Sequence, residues 1–275
     1  MHSVSNIVSG MTMQKEYIAE VLMKINPIVR QYNKNVVKLH TGIDSAKANE
    51  LSLIDSVHFL RHVWGSCLAW GNQSIDYIGR SVQELSHFLT SFATEEEIHD
   101  PHAFSEKLDK YSGSKRITPS SENNVTKLTE SLQKFSSVRI KTAALIMRIL
   151  CLDSNFFEID RDQLIPPLDR VNYRMCRQLF GEKFVLRDFG KEKASYGVKE
   201  TRNFANLGIL VLGKGRILID NLWFIGHFYH DRRKDVKKTC EMRKGAIVVE
   251  YPVLKDLLNR LPESCPFLKY GCKRQ

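Results

Sequence analysis

Two residues of this chain have the types and the placement to do chemistry together: Lys141, in Val138-Arg139-Ile140-Lys141-Thr142-Ala143-Ala144, and Asp169, in Pro166-Pro167-Leu168-Asp169-Arg170-Val171. Ala143, Ala144, Ile146, Met147, Ile149 and Leu150 recur at helical spacing, which puts Lys141 in the first turn of a helix. The Pro-Pro step keeps the residues before Asp169 out of a helix, and Asp169 opens the next one, expected from Arg170 to Phe180. An amine and a carboxylate therefore stand at the starts of two consecutive helices. The positive end of a helix is a poor place for a cation, which suits a lysine that must be neutral to act as a nucleophile. The carboxylate would stabilise developing positive charge, or take a proton from the amine or from water. Each residue also has an ordinary reading, an exposed helix lysine and an aspartate capping a helix.

A second set lies near the C-terminus. His230, Cys240, Cys265 and Cys272 are four donors of the soft or borderline kind, with Cys265 and Cys272 closely spaced. Three cysteines and a histidine suit zinc, and an iron-sulfur cluster with one histidine is also chemically allowed. His227 competes with His230 for the fourth position, and unrelated free cysteines are the plainer reading. The basic run Arg232-Arg233-Lys234-Asp235-Val236-Lys237-Lys238 sits beside this set and would track a phosphate backbone, or form a solvated loop. Lys183, Arg187, Lys191 and Lys193 make a weaker patch.

The residues around Lys141 and Asp169 carry a family resemblance. Phe135-Ser136-Ser137-Val138-Arg139-Ile140-Lys141-Thr142-Ala143 resembles the hairpin of the helix-hairpin-helix DNA glycosylases, written L-P-G-V-G-x-K-T-A, and Pro167-Leu168-Asp169-Arg170-Val171 resembles their P-V-D-x-H-V. Ile219-Asp220-Asn221-Leu222-Trp223-Phe224-Ile225-Gly226 is similar to the late helix, D-x-x-L-W-x-x-G, that precedes a metal-binding loop in many members. The three segments occur in the family's order between Phe135 and Cys272.

The resemblance implies an enzyme that flips a damaged or modified base out of double-stranded DNA and breaks its N-glycosidic bond. With Lys141 as nucleophile it would also cleave the strand through a Schiff base, as a bifunctional glycosylase and AP lyase. It implies that Asn72 and Gln73, in Trp70-Gly71-Asn72-Gln73-Ser74, fill the gap left by the extruded base, although Ser74 as an ordinary helix cap explains the same turn. Ser137 and Arg139 stand where the family has its two hairpin glycines, whose backbone approaches a DNA phosphate; Arg139 would supply that contact with its side chain. Arg232 and Arg233 join the DNA-binding set. Phe156, Phe157 and Tyr173 are the expected walls of the base pocket, while Trp64 and Trp70 are candidates of the same kind. Cys151 to Leu164, longer than in compact members, reads as an acidic, aromatic insertion that reshapes the pocket. Two rival readings remain: a non-catalytic, metal-stapled helical module that binds nucleic acid, and a nuclease or RNA-acting enzyme.

Composition is in keeping with a nucleic-acid partner. Among 275 residues, 41 Lys and Arg against 31 Asp and Glu leave a net charge of +10, which favours polyanions, nucleic acid or an anionic membrane surface. A hydrophobic content of 43% is enough for a substantial core. Six scattered cysteines argue against a disulfide framework. No apolar run reaches the roughly 18 residues of a membrane span, and Met1 to Gly10 lacks a secretion signal. The expectation is a monomer, cytoplasmic or, in a eukaryote, nuclear, with no membrane partner.

The elements that must position the pair read as helices: a stripe from Tyr17 to Ile25, then Leu51–Trp70, Ile75–Phe92, Val125–Phe135, Lys141–Leu152, Arg170–Leu179, Glu200–Leu212 and Ile219–Tyr229. Ala246 to Tyr251 is the best short exception. The expected fold is mainly α, two helical lobes flanking a DNA-binding cleft. Its divisions are an N-terminal helical region over 1–111, a loop or lobe boundary over 112–124, a helix-hairpin-helix catalytic region over 125–229 and a basic C-terminal loop over 230–275.

Overall fold

A computed structural model describes residues 12–70, 73–113, 117, 119, 124–226 and 266. Among the described residues every regular element is helical, as the periodicity predicts. Eleven α-helices are described among them: α1 (Thr12–Thr41), α2 (Leu53–Trp70), α3 (Ile75–Leu89), α4 (Glu95–His99), α5 (Pro101–Lys110), α6 (Asn124–Ser131), α7 (Ile140–Arg148), α8 (Arg170–Phe180), α9 (Glu182–Phe189), α10 (Val198–Leu212) and α11 (Asn221–Ile225). None is long and apolar enough to cross a membrane.

Local chemistry sets several boundaries. Asp100 accepts the backbone N–H of His102 and is followed by Pro101, an N-cap and first-turn proline that start α5. Thr94 caps α4, whose first turn is Glu95, Glu96 and Glu97. α8 stops at Gly181, whose φ of 88° lies where a side chain is strained. α7 does not stop at Arg148 but widens into a π turn over Ile149–Asp153, which the Ser154 N–H closes on the Ile149 carbonyl at 2.8 Å.

The buried apolar side chains form two clusters. One gathers Phe59, Trp64, Phe88, Phe104, Phe135, Met147, Phe156 and Phe157; the other gathers Ile18, Leu22, Val29, Leu168, Tyr173, Met175, Phe189, Phe204 and Phe224. α1 shares a core with residues 168–225, and its Tyr17 hydroxyl donates to the Pro266 carbonyl at 2.7 Å. The two clusters matter for the site because Ala143, Ile146 and Met147 anchor α7 in the first, while Tyr173, Met175, Cys176 and Leu179 anchor α8 in the second.

One close approach seats the segment behind the site. Gly208 of α10 lies against the 3-10 turn Arg216–Asp220, where a Cβ would fall 2.5 Å from the Arg216 carbonyl oxygen. Only a residue without a side chain lets these backbones meet.

Three expectations from the sequence are corrected here. Phe156 and Phe157 are each 1% exposed, and they pack on Phe59, His99 and Phe104 as core aromatics, so they wall no open pocket. The segment from Cys151 to Leu164 is accordingly pinned to the first cluster rather than held out as an acidic, aromatic loop. Trp64 is likewise core: 2% exposed, its indole N–H reaches Ser81 Oγ at 3.0 Å.

Candidate active site

The approach to Lys141 begins with a tight turn. Val138 N–H closes on the Phe135 carbonyl at 3.4 Å, and Ser137 within that turn adopts φ 64°. This left-handed conformation is the one a glycine takes freely, and here a serine holds it. Two contacts brace the turn. Glu84 Oε2 accepts the Ser136 N–H at 2.6 Å, and buried Lys134 donates its ammonium to the carbonyls of Leu108, at 2.7 Å, and Asp109, at 3.1 Å. Burial lowers the pKa of Lys134, with Asp109 opposing.

Arg139 is extended, exposed and occupies the N-cap of α7 without a side-chain cap bond. The start of α7 therefore keeps its partial positive charge beside two cationic side chains, Arg139 and Lys141.

Asp169 occupies the N-cap of α8 and divides its carboxylate. Oδ1 accepts the backbone N–H of Asn172 at 2.9 Å, and Oδ2 lies 3.4 Å from Lys141 Nζ. The Asp169 side chain is 13% exposed and that of Lys141 36%, so the amine faces solvent more than its partner does. The cap bond fixes the plane of the carboxylate and the remaining oxygen points at the amine. A nucleophile and an acid-base group within hydrogen-bonding reach is the arrangement that attack by an amine, or activation of a water, requires.

Sequence reasoning missed the polar residues beneath this pair. Asn172, 1% exposed, donates through Nδ2 to the Pro167 carbonyl and to Asp220 Oδ1, each at 2.9 Å. Asp220 Oδ2 forms an ion pair with Arg148, whose Nε lies 3.6 Å from Asp153 Oδ2. Asn33 of α1 donates to Asp153 Oδ1 at 3.4 Å. Burial lowers the pKa of Arg148 and raises that of Asp153. The signal for such a group is Arg148 and Asp153 bracketing the apolar run Ile149-Leu150-Cys151-Leu152, since a charge set in an apolar stretch needs a partner when buried.

Tyr173, the third expected wall of the base pocket, is only 2% exposed and walls no open pocket either; its hydroxyl donates to the Gly190 carbonyl at 3.0 Å and its ring stacks on Tyr196 at 5.7 Å between centroids. Tyr196, also missed, has its phenol pushed up first by burial and further by Tyr173, Glu192 and Asp169. The neighbouring basic patch is partly neutralised, with Arg187 on Asp188 and Lys193 on Glu200.

Gln73 sits half-buried ahead of α3, its N–H on the Leu68 carbonyl at 3.4 Å. Ser74 takes the N-cap position but makes no side-chain cap bond. Beside them Ile75 is 87% exposed, a large apolar side chain in water. Asn72, Arg232, Arg233, His227, His230, Cys240, Cys265 and Cys272 lie outside the described residues, as does Ala246 to Tyr251. Among the described residues no group of His, Cys, Asp and Glu is placed to hold a metal ion. Cys67, Cys151 and Cys176 are buried thiols, raised well above their ordinary pKa chiefly by burial and so unsuited to nucleophilic work.

Compared with protein-family models, with curated proteins and with solved structures, the chain matches none.

Proposed function

We propose that this chain is a DNA glycosylase of the helix-hairpin-helix kind, releasing a damaged or modified base from duplex DNA and, through Lys141, cleaving the strand. The observation that carries the reading is the pairing of Lys141 with Asp169 at 3.4 Å across two successive helix starts. Base release leaves positive charge on the sugar, and Asp169 Oδ2 is the anion to stabilise it; Lys141 is the amine to attack the sugar carbon. The base leaves with the electrons of the glycosidic bond, Lys141 Nζ bonds to C1′, and the proton the amine sheds passes to Asp169. Asp169 returns that proton to the ring oxygen as the C1′–O4′ bond breaks, giving the Schiff base. Loss of a C2′ proton to Asp169 then expels the 3′-phosphate and breaks the strand.

The turn ahead of α7 supports the same reading. Its Ser137 keeps a left-handed backbone at a position where the resembled hairpin has glycine, and Arg139 adds a charged donor beside the uncapped helix start. A phosphate would meet amide dipoles and a guanidinium together. In this reading Gln73 and exposed Ile75 fill the space left by the flipped base. The net charge of +10 supplies sequence-independent attraction to the duplex.

The test is a screen of duplexes carrying different lesions and modified cytosines, each assayed with and without alkali. Base release that yields strand breaks without alkali supports the bifunctional enzyme; breaks only after alkali leave Lys141 a non-covalent part. Binding without release from any duplex would overturn catalysis in favour of a nucleic-acid-binding module.

A further inference from the structure

We propose that Asp220 is the positioning residue of the Lys141 and Asp169 pair, because its two carboxylate oxygens hold the two helices that carry them. Oδ2 pairs with Arg148, at the far end of the helix that begins at Ile140 and Lys141; Oδ1 accepts from Asn172, in the first turn of the helix that Asp169 caps. The assignment rests on the reading of the pair as catalytic.

The surroundings support a positioning role over general stability. α7 packs in one apolar cluster and α8 in the other, so apolar contacts within each cluster do not by themselves set one helix against the other. Apolar packing is non-directional, whereas a carboxylate bonded at both oxygens fixes distance and angle. Asn172 extends the hold to the loop before Asp169, because the same Nδ2 that meets Asp220 also closes the Pro167 carbonyl. Arg148, Asp220 and Asn172 are all at most 5% exposed, so water does not compete for these bonds. Gly208 seats the Arg216–Asp220 turn from behind. Lys141 is too exposed, and its 3.4 Å contact too loose, to hold this geometry alone.

Arg148 keeps a second buried partner in Asp153, 3.6 Å from its Nε, so the test uses Asp220→Leu, which removes both bonds of Asp220 without leaving Arg148 unpaired. Asn172→Leu is the second variant; it leaves the ion pair intact. Lysines carrying 13C-methyl labels report on Lys141 without DNA, the resonance being assigned with Lys141→Arg. In both folded variants the Lys141 signal should move from its wild-type position toward the one it takes in Asp169→Asn. On a duplex that the wild type processes, single-turnover base release should fall by about tenfold to a hundredfold while DNA affinity stays within about threefold.

A Lys141 signal at its wild-type position in either folded variant would overturn the assignment, whatever the activity. A wild type that releases no base from any duplex, with the signal still moving, would overturn the glycosylase reading and leave Asp220 as the residue that sets the pair. Equal losses of affinity and rate would show a merely structural role and also overturn the assignment.

Discussion

Asp169 binds the backbone N–H of Asn172 through Oδ1 at 2.9 Å, and so one oxygen caps a helix while the other, at 3.4 Å, faces Lys141. The division separates fold from chemistry. Asparagine caps a helix as well as aspartate does, so Asp169→Asn should keep the fold within about 1 kcal/mol of wild type. The same change removes the anion, and single-turnover base release should drop by at least about a hundredfold with DNA affinity retained. Wild-type turnover by this variant would remove Asp169 from the mechanism.

Lys141 has a chemical signature of its own. If its amine attacks the sugar, borohydride should trap a covalent protein-DNA adduct in the wild type and none in Lys141→Ala. Base release by an enzyme that never traps would assign Lys141 an electrostatic part beside Asp169.

Ser137 stores strain in the turn before α7. With φ at 64°, Ser137→Gly should leave stability unchanged or raise it, whereas Ser137→Val, branched at Cβ, should cost about 1–2 kcal/mol. Urea unfolding of the two variants measures this; equal stability would mean the turn relaxes to another conformation.

Gly208→Ala places a methyl 2.5 Å from the Arg216 carbonyl oxygen, a backbone atom that cannot swing away. A loss of about 1–3 kcal/mol is expected. An alanine variant as stable as wild type in the same urea titration would show that the Arg216–Asp220 turn gives way at little cost.

His99 couples the first cluster to pH. Its ring packs edge-on against Phe156 at 4.5 Å and meets Ser56 at 2.9 Å; burial pushes its pKa below the ordinary 6.5, against the pull of Glu95 and Glu96. Just below pH 6.5 the unfolded chain then binds a proton that the native state refuses. Stability therefore rises with pH through that interval and is lost on acidification. Between about pH 7.5 and about pH 5.5, His99→Gln should lose less of its melting temperature than wild type does. Equal losses would show that His99 titrates in the folded chain as it does in the unfolded one.

Much of the architecture is written locally in the chain. The stripes at 3.6-residue spacing mark α2, α3, α7, α8 and α10, because a helix that buries one face must repeat its apolar residues at that period. Lys141 and Asp169 are legible for the same reason: a proline pair, a capping acid and a first-turn lysine are signals within a few residues of one another. α4 and α5 carried equally local signals in Thr94 and Asp100-Pro101, but they are short and their apolar content is thin. α9 lies between two glycines, and its residues show in the sequence only as a basic patch.

The sequence by itself determined which segments are helical and which two residues stand at helix starts, since propensity, capping and periodicity act between near neighbours. Only the tertiary structure decided that Asp169 Oδ2 meets Lys141, that Asp220 joins Arg148 to Asn172, and that Phe156 and Phe157 belong to the core. Those are contacts between residues far apart in the chain. They depend on how helices pack, which no local pattern encodes: an aromatic in a loop reads the same whether it lines a pocket or fills a core, and a buried carboxylate shows its partners only once the chain is folded.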